Sequence, residues 1–230
     1  NYWGGSSNAS THLLDGMHYR GLLRVVRREA GIRVYGPVAH VDDERTPQQK
    51  ADALVDLVLA KYAPLPSRSL GHLVYQLGGG APQLQAELKQ ALARRRCEWP
   101  GAEVDGVAWL WSPGESPASA RWRRAEDPST VRLLAPFDPI VWDRPRFEQL
   151  WRWAYRFEAY TPAAKRLRGY YALPLLWGER VIGWGNVGVV NGRLQADLGY
   201  AAGKPPRDAA FRHGLDEELE RLRRFLGLDG

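Results

Sequence analysis

Residues 46–111, TPQQKADALVDLVLAKYAPLPSRSLGHLVYQLGGGAPQLQAELKQALARRRCEWPGAEVDGVAWLW, decide how this chain folds. Thr46-Pro47-Gln48-Gln49 joins a capping-box spelling to a proline at the first helical position, so a helix starts there. Leu54, Leu57, Val58 and Tyr62 follow at helical spacing. Ser67 or Ser69 opens a second helix that Gly78-Gly79-Gly80 ends, and Pro82 opens a third with Leu84, Leu88 and Leu92 on one face. Arg94, Arg95 and Arg96 close this third helix, where positive charge suits the carboxyl end of the dipole. Residues 97–99 and 107–111, separated by glycines and acids, read as the arms of a hairpin. Three helices and a hairpin in this order are the elements of a winged helix-turn-helix.

The same order is half repeated on the amino-terminal side. Ser10 or a neighbour caps a helix through Leu13, Leu14, Met17 and His18, which Gly21 ends. Residues 22–28 and 32–35 read as strands around the turn Glu29-Ala30-Gly31, and Pro37 follows. This is the helix and wing of a winged unit. The chain opens at Asn1 without Met, which suggests a fragment whose front half lies upstream.

On the carboxyl side, Ser112-Pro113-Gly114-Glu115-Ser116-Pro117 is the best linker in the chain. Beyond it come Arg121, Arg123 and Arg124, a helix over residues 144–153, and strands over 170–176, 180–190 and 193–200 joined by turns at Gly178-Glu179 and Asn191-Gly192. Residues 207–226 form an amphipathic helix with Phe211, Leu215, Leu219, Leu222 and Leu226 on one side. The fold class read from these patterns is α+β: tandem winged helix-turn-helix units followed by a carboxyl-terminal α+β domain with antiparallel strands. The expected divisions are residues 1–41 (helix plus wing), 42–113 (a complete winged helix) and 121–230.

At 230 residues, 44% hydrophobic and 25% charged, the chain has the composition of a folded globular protein. Its formal charge is +6, and only five of its 32 basic residues are lysines, at 50, 61, 89, 165 and 204. The rest are arginines. A GC-rich genome also raises arginine content, so clustering carries more information than number. With Cys97 as its one cysteine the chain can build neither an internal disulfide nor a thiolate zinc site, which fits a reducing cytoplasm. The five histidines lack ligand spacing, and Gly78-Gly79-Gly80 lacks the lysine and hydroxyl residue of a phosphate loop.

Two arginine clusters stand out. Arg20, Arg24, Arg27, Arg28 and Arg33 cover the end of the first helix and both arms of its hairpin, opposed locally by Asp15 and Glu29. They read either as phosphate contacts or as a solvated strand face. Each phosphate neutralised would steepen the log-log salt dependence of binding by about 0.9. Thr11 and His12, with Ser10, stand where a recognition helix meets base edges, although capping explains Ser10 or Thr11 equally well. Residues 133–173, LLAPFDPIVWDRPRFEQLWRWAYRFEAYTPAAKRLRGYYAL, interleave rings, guanidinium groups and carboxylates. Arg144, Arg156, Lys165, Arg166, Arg168 and Tyr170 from this stretch suit phosphate contact and base stacking, and the same mixture also suits a packed interface.

APFDPIVWDR, RFEAYTPAAKR and GYYALPLLWGERVIGW resemble the carboxyl-terminal half of the YcaQ/AlkZ family, and YWGG and HYRGLLRVVRR resemble its middle. These are DNA glycosylases that unhook interstrand crosslinks and release alkylated bases. The resemblance runs from about Tyr2 to Leu226. It implies tandem winged helices around a basic channel, double-stranded DNA, damaged or crosslinked, as partner, and no cofactor and no metal. It also implies a catalytic Gln-X-Asp or Gln-X-Gln triplet near the start of the full-length protein. The one such spelling here, Gln83-Leu84-Gln85, falls in the third helix and reads as coincidence, so the catalytic residues are expected upstream.

Asp138, Asp143, Glu148 and Glu158 are the other carboxylates that could stabilise an oxocarbenium-like state, set against pairing with Arg144, Arg146, Arg152 or Arg156 to brace the domain. Trp142, Trp151, Trp153, Tyr155, Tyr160, Tyr170 and Tyr171 divide between core packing and a wedge for an extruded base. The reading from another class is a winged-helix transcriptional regulator, which the residues alone do not separate from a repair protein.

Overall fold

Asn8 commits the backbone to helix by accepting the Thr11 N–H on its side-chain oxygen at 2.8 Å, and α1 (Ala9–Tyr19) follows. The cap is thus Asn8, two residues before the serine that the sequence offers. This structure is a computed structural model, and it describes residues 8–39, 42–119 and 127–228. The tyrosine, tryptophan and glycines of YWGG, His40, and Arg121, Arg123 and Arg124 lie outside the described residues. The chain divides into two compact units, Asn1–Gly114 and Glu115–Gly230. Both mix helices with antiparallel strands, giving six α-helices and three sheets among the described residues. No described helix is long and apolar enough to cross a membrane.

In the first unit, β1 (Leu23–Glu29) pairs antiparallel with β2 (Ile32–Pro37) through a turn with Ala30 and Gly31 at positive φ. A bulge between Val25 and Arg27 shifts the register, which leaves Val26 47% exposed and laid across Gly36. Tyr19 ties this end of α1 to the rest of the unit: its hydroxyl donates to the Gln76 carbonyl at 3.0 Å.

The capping box of residues 46–49 forms as spelled: Gln49 N–H donates to the Thr46 hydroxyl, and Thr46 N–H donates to the Gln49 side-chain oxygen at 2.8 Å. It starts α2 (Pro47–Tyr62); α3 (Ser67–Gly80) and, after a 3-10 turn at Pro82–Leu84, α4 (Gln85–Glu98) complete a layer of three helices. Their core is Ala51, Val55, Val58 and Leu59 against Leu70, Leu73, Val74, Leu84, Leu88 and Ala91. Leu57 is left 51% exposed, so α2 is turned from the phase that Leu54, Leu57, Val58 and Tyr62 suggest. The buried stripe runs through Ala51, Val55, Val58 and Leu59. Asp52 and Asp56, four residues apart, face α4, where Asp52 accepts from Arg94 and Asp56 takes Arg95 through two nitrogens at 2.8 and 2.9 Å.

The hairpin that follows is shifted from its expected arms. Cys97 and Glu98 belong to α4, whose last turn is held by Arg95 donating to Glu98 at 2.7 Å and which Pro100 stops. The first arm is β4 (Gly101–Val104), which pairs with β5 (Val107–Leu110); a two-residue β3 (Leu65–Pro66) joins the other edge of β5 in the order β3-β5-β4.

The second unit is a four-stranded antiparallel sheet in sequential order, β6 (Val131–Leu133), β7 (Ala172–Trp177), β8 (Arg180–Val190) and β9 (Arg193–Tyr200). The β8–β9 turn puts Asn191 and Gly192 at positive φ, as a two-residue hairpin loop requires. Val131, Leu133, Leu175 and Phe211 make one core cluster, into which α6 (Ala209–Phe225) sends Leu215, Leu219 and Leu222 with Ile182 beside them. Leu226 lies beyond the helix and is exposed. A second cluster, Val141, Phe147 and Tyr155 with Trp151, Trp153 and Val181, includes Phe147 and Trp151 of α5 (Arg144–Trp151). Leu175 of the first cluster and Leu176, the ladder partner of Val181 in the second, are adjacent in β7 and point to opposite faces, which places one cluster on each side of the sheet.

Candidate nucleic-acid interface

The arginines of the first unit share a charge but have different surroundings. Arg20 caps the carboxyl end of α1 through its backbone, and its side chain and that of Arg24 are exposed with no ion pair among the described residues. Arg28 stands opposite Arg33 in the β1–β2 ladder, a juxtaposition of like charges that costs stability unless a negative group intervenes. Arg28 reaches the Gly31 carbonyl at 3.2 Å, and Arg33 reaches Asp15 at 3.0 Å and the Tyr35 hydroxyl at 3.3 Å. That Tyr35 hydrogen bond first, and then the Tyr35 and Asp15 charges, hold the Arg33 guanidinium more firmly protonated than usual. Arg27 is paired with Glu29 at 2.6 Å on the same strand.

At the start of α1 the Thr11 hydroxyl donates to Asn8 Oδ1 at 2.7 Å, so it serves the cap. His12 is exposed one position further on. In the helical layer Arg94, Arg95 and Arg96 are all engaged within the unit: the first two with acids of α2, and Arg96 with the Ser67 carbonyl at 2.9 Å. They brace the helices. Gln83 and Gln85 are exposed and Leu84 is buried at the start of α4.

In the second unit the long irregular segment between α5 and β7 holds five of the expected residues, Arg156, Lys165, Arg166, Arg168 and Tyr170. Glu158 organises it. This carboxylate is 5% exposed, and one of its oxygens accepts three successive backbone N–H groups, from Leu167 at 2.9 Å, Arg168 at 2.8 Å and Gly169 at 3.3 Å. Burial opposes its ionisation, but the three amides and the nearby Arg168 charge outweigh that, and the carboxyl titrates below its usual range. Asn186 of β8 donates to the Arg168 carbonyl at 2.7 Å, and Gly169, at φ +125°, passes so close to Asn186 that no β-carbon fits.

The Arg168 guanidinium lies 4.8 Å from the centre of the Trp153 ring and 5.8 Å from that of Trp184, and the two indoles stack at 17°. Arg166 donates to the Thr161 carbonyl at 2.8 Å and sits 4.9 Å from the Tyr170 ring. Lys165 ends a 3-10 turn and is exposed. Arg144, the first residue of α5, and Arg168 both act electrostatically on the Tyr155 hydroxyl, while Arg156 is exposed further along. That hydroxyl donates to the Ala172 carbonyl, and burial above all pushes its pKa up to about 12.

The carboxylates and rings thus sort by their partners. Asp138 accepts the Ile140 N–H at 2.9 Å, Asp143 caps α5 by accepting the Arg146 N–H, and Glu158 holds a loop. Main-chain amides are partners that the sequence does not suggest, and the charges of Asp143 and Asp138 act also on the Arg146 guanidinium. Trp151, Trp153 and Tyr155 pack in the core, whereas Tyr160, Tyr170 and Tyr171 are 72%, 60% and 41% exposed. Asn186 escaped the sequence reading; its signal was a lone amide inside the apolar run of β8. Among the described residues no three His, Cys, Asp or Glu side chains are grouped to hold a metal ion.

A family model described as DNA glycosylase AlkZ-like matches residues 1–225 of the chain. No solved structure matches it. The membership favours base excision over transcriptional regulation for these basic surfaces. The chain belongs to the AlkZ-like DNA glycosylase family, so its role is in DNA repair and its substrate is DNA.

Proposed function

We propose that residues 1–230 are the duplex-holding portion of a DNA glycosylase that excises alkylated or crosslinked bases by hydrolysing the N-glycosidic bond. In this reading α1 with the β1–β2 hairpin is the helix and wing of one winged unit, residues 42–113 are a second, and residues 121–230 are an α+β domain. Thr11, His12, Arg20, Arg24, Arg27, Arg28 and Arg33 meet DNA from the first unit, and Arg144, Arg156, Lys165, Arg166, Arg168 and Tyr170 from the second. One observation carries the proposal: in a chain of this family, Arg20 and Arg24 are exposed with no acid partner among the described residues, on the same helix and hairpin as Arg28 and Arg33, of which only Arg33 is answered by an acid, Asp15.

The reaction needs a group that stabilises positive charge on the sugar and a positioned water. An N7-alkylated purine already carries a positive charge, so no strong general acid is required. Glu158 is spent on backbone amides, and Gln83-Leu84-Gln85 belongs to a helix start. The proposal therefore assigns binding, and not bond cleavage, to these residues. Fluorescence anisotropy with a duplex oligonucleotide should show binding that weakens steeply between low and moderate salt, with little dependence on sequence. Release of N7-methylguanine by residues 1–230 well above the spontaneous rate would overturn the assignment of catalysis elsewhere. Selective binding to one undamaged operator would favour a regulator.

A further inference from the structure

We propose that Leu167 is a wedge which this protein inserts into the base stack of duplex DNA, resting on the DNA-holding role proposed above. Its side chain is 82% exposed. A scattered exposed leucine is ordinary; this one is held unlike a loop residue. Its own N–H and those of the next two residues converge on a single Glu158 oxygen, and Asn186 fixes the carbonyl of Arg168 behind it. The backbone N–H of Leu167 is therefore held by a buried carboxylate, and the next peptide but one, between Arg168 and Gly169, is anchored on both of its polar groups to that carboxylate and to the sheet. An apolar side chain is presented to solvent on a rigid base.

Its neighbours give the occupant. Lys165 is exposed, Arg166 and Arg168 flank the leucine in sequence, and Tyr160 and Tyr170 expose their rings on the same segment. A protein partner would match an exposed leucine with an apolar surface but would leave this much positive charge to be answered. Duplex DNA answers both: the cations take phosphates, and the leucine enters between base pairs, as apolar wedges do in proteins that unstack and kink DNA. A nucleotide extruded for excision leaves such a gap. Of the aromatic residues first suggested as wedges, Trp151, Trp153 and Tyr155 are core, Tyr160 and Tyr171 meet Phe157 edge-on, and Tyr170 carries the Arg166 guanidinium, whereas Leu167 is more exposed than any of these rings.

The test uses the full chain with two fluorescein-labelled duplexes, one intact and one with a single tetrahydrofuran abasic site beside 2-aminopurine. The unaltered protein should prefer the abasic duplex and raise its 2-aminopurine emission as the neighbouring base unstacks. Leu167→Ala should lower that preference at least tenfold and abolish the emission rise, and Leu167→Met should restore both, whereas the salt slope stays that of the unaltered chain because no charge has changed. An emission rise that survives in Leu167→Ala, or is absent from the unaltered protein bound to DNA, overturns the wedge and leaves DNA holding intact. Absence of salt-dependent binding to either duplex overturns both proposals.

Discussion

Arg24 and Arg33 sit on paired strands 24 and 33 residues into the chain, yet their electrostatic obligations differ. Arg24 has no ion pair among the described residues, whereas Arg33 is committed to Asp15 and Tyr35. A phosphate gains the whole attraction of the first and must compete with a carboxylate for the second. Arg24→Ala should therefore reduce the log-log salt slope of duplex binding by about 0.9, and Arg33→Ala by less, in anisotropy titrations across salt concentrations. Glu158 makes the opposite case, a charge wholly used inside. Glu158→Ala strands three amides in a buried setting and should cost about 1–3 kcal/mol in urea unfolding. Because its carboxyl titrates below the usual range when folded, its contribution is fully present above roughly pH 5 and fades as pH falls through the folded-state value, where the unfolded chain takes up the proton first. Glu158→Ala should flatten the acid limb of the stability profile.

At the scale of elements, caps and turns follow the residues that define them. Thr46 and Gln49 satisfy each other's backbone, so Thr46→Ala should lower the stability of the first unit by about 1 kcal/mol, read by thermal melting of helix signal at 222 nm. The turn at Asn191 and Gly192 and the full span of β8 and β9 were legible for the same reason, since positive φ and alternation are local properties. Elements that exist only through a partner were not. The two-residue β3 and three-residue β6 have too little pattern to announce a strand and form because β5 and β7 offer open ladders. The last turn of α4 likewise reads from the sequence as a hairpin arm, because Arg95, which holds it through Glu98, is itself fixed by Asp56 from a distant helix.

Across the whole molecule, each unit has its own core, and Glu218 shows how a unit can depend on one polar group. It is fully buried on α6, accepts the Leu133 N–H at 2.8 Å, and takes two Arg221 nitrogens at 2.8 Å, so it fastens the helix to the edge strand of the sheet. Removing the carboxylate leaves the Leu133 N–H buried and unanswered, while Arg221, whose side chain is 56% exposed, turns to water. Glu218→Ala should destabilise the second unit by about 1–3 kcal/mol and leave the first nearly unchanged, giving a biphasic denaturation curve in which tryptophan fluorescence and helix signal no longer coincide.

The sequence by itself determined the family, the α+β class, the main helices, the two long carboxyl-terminal strands and the positions of both arginine clusters, because periodicity, capping and turn chemistry act over a few residues. Tertiary structure alone decided which arginines are bound to acids, that Glu158 anchors a loop through its backbone, and that Leu167 projects from it. Those outcomes depend on groups brought together from distant parts of the chain, Asp52 with Arg94 and Arg168 with Asn186, and no local pattern encodes a distance across a fold.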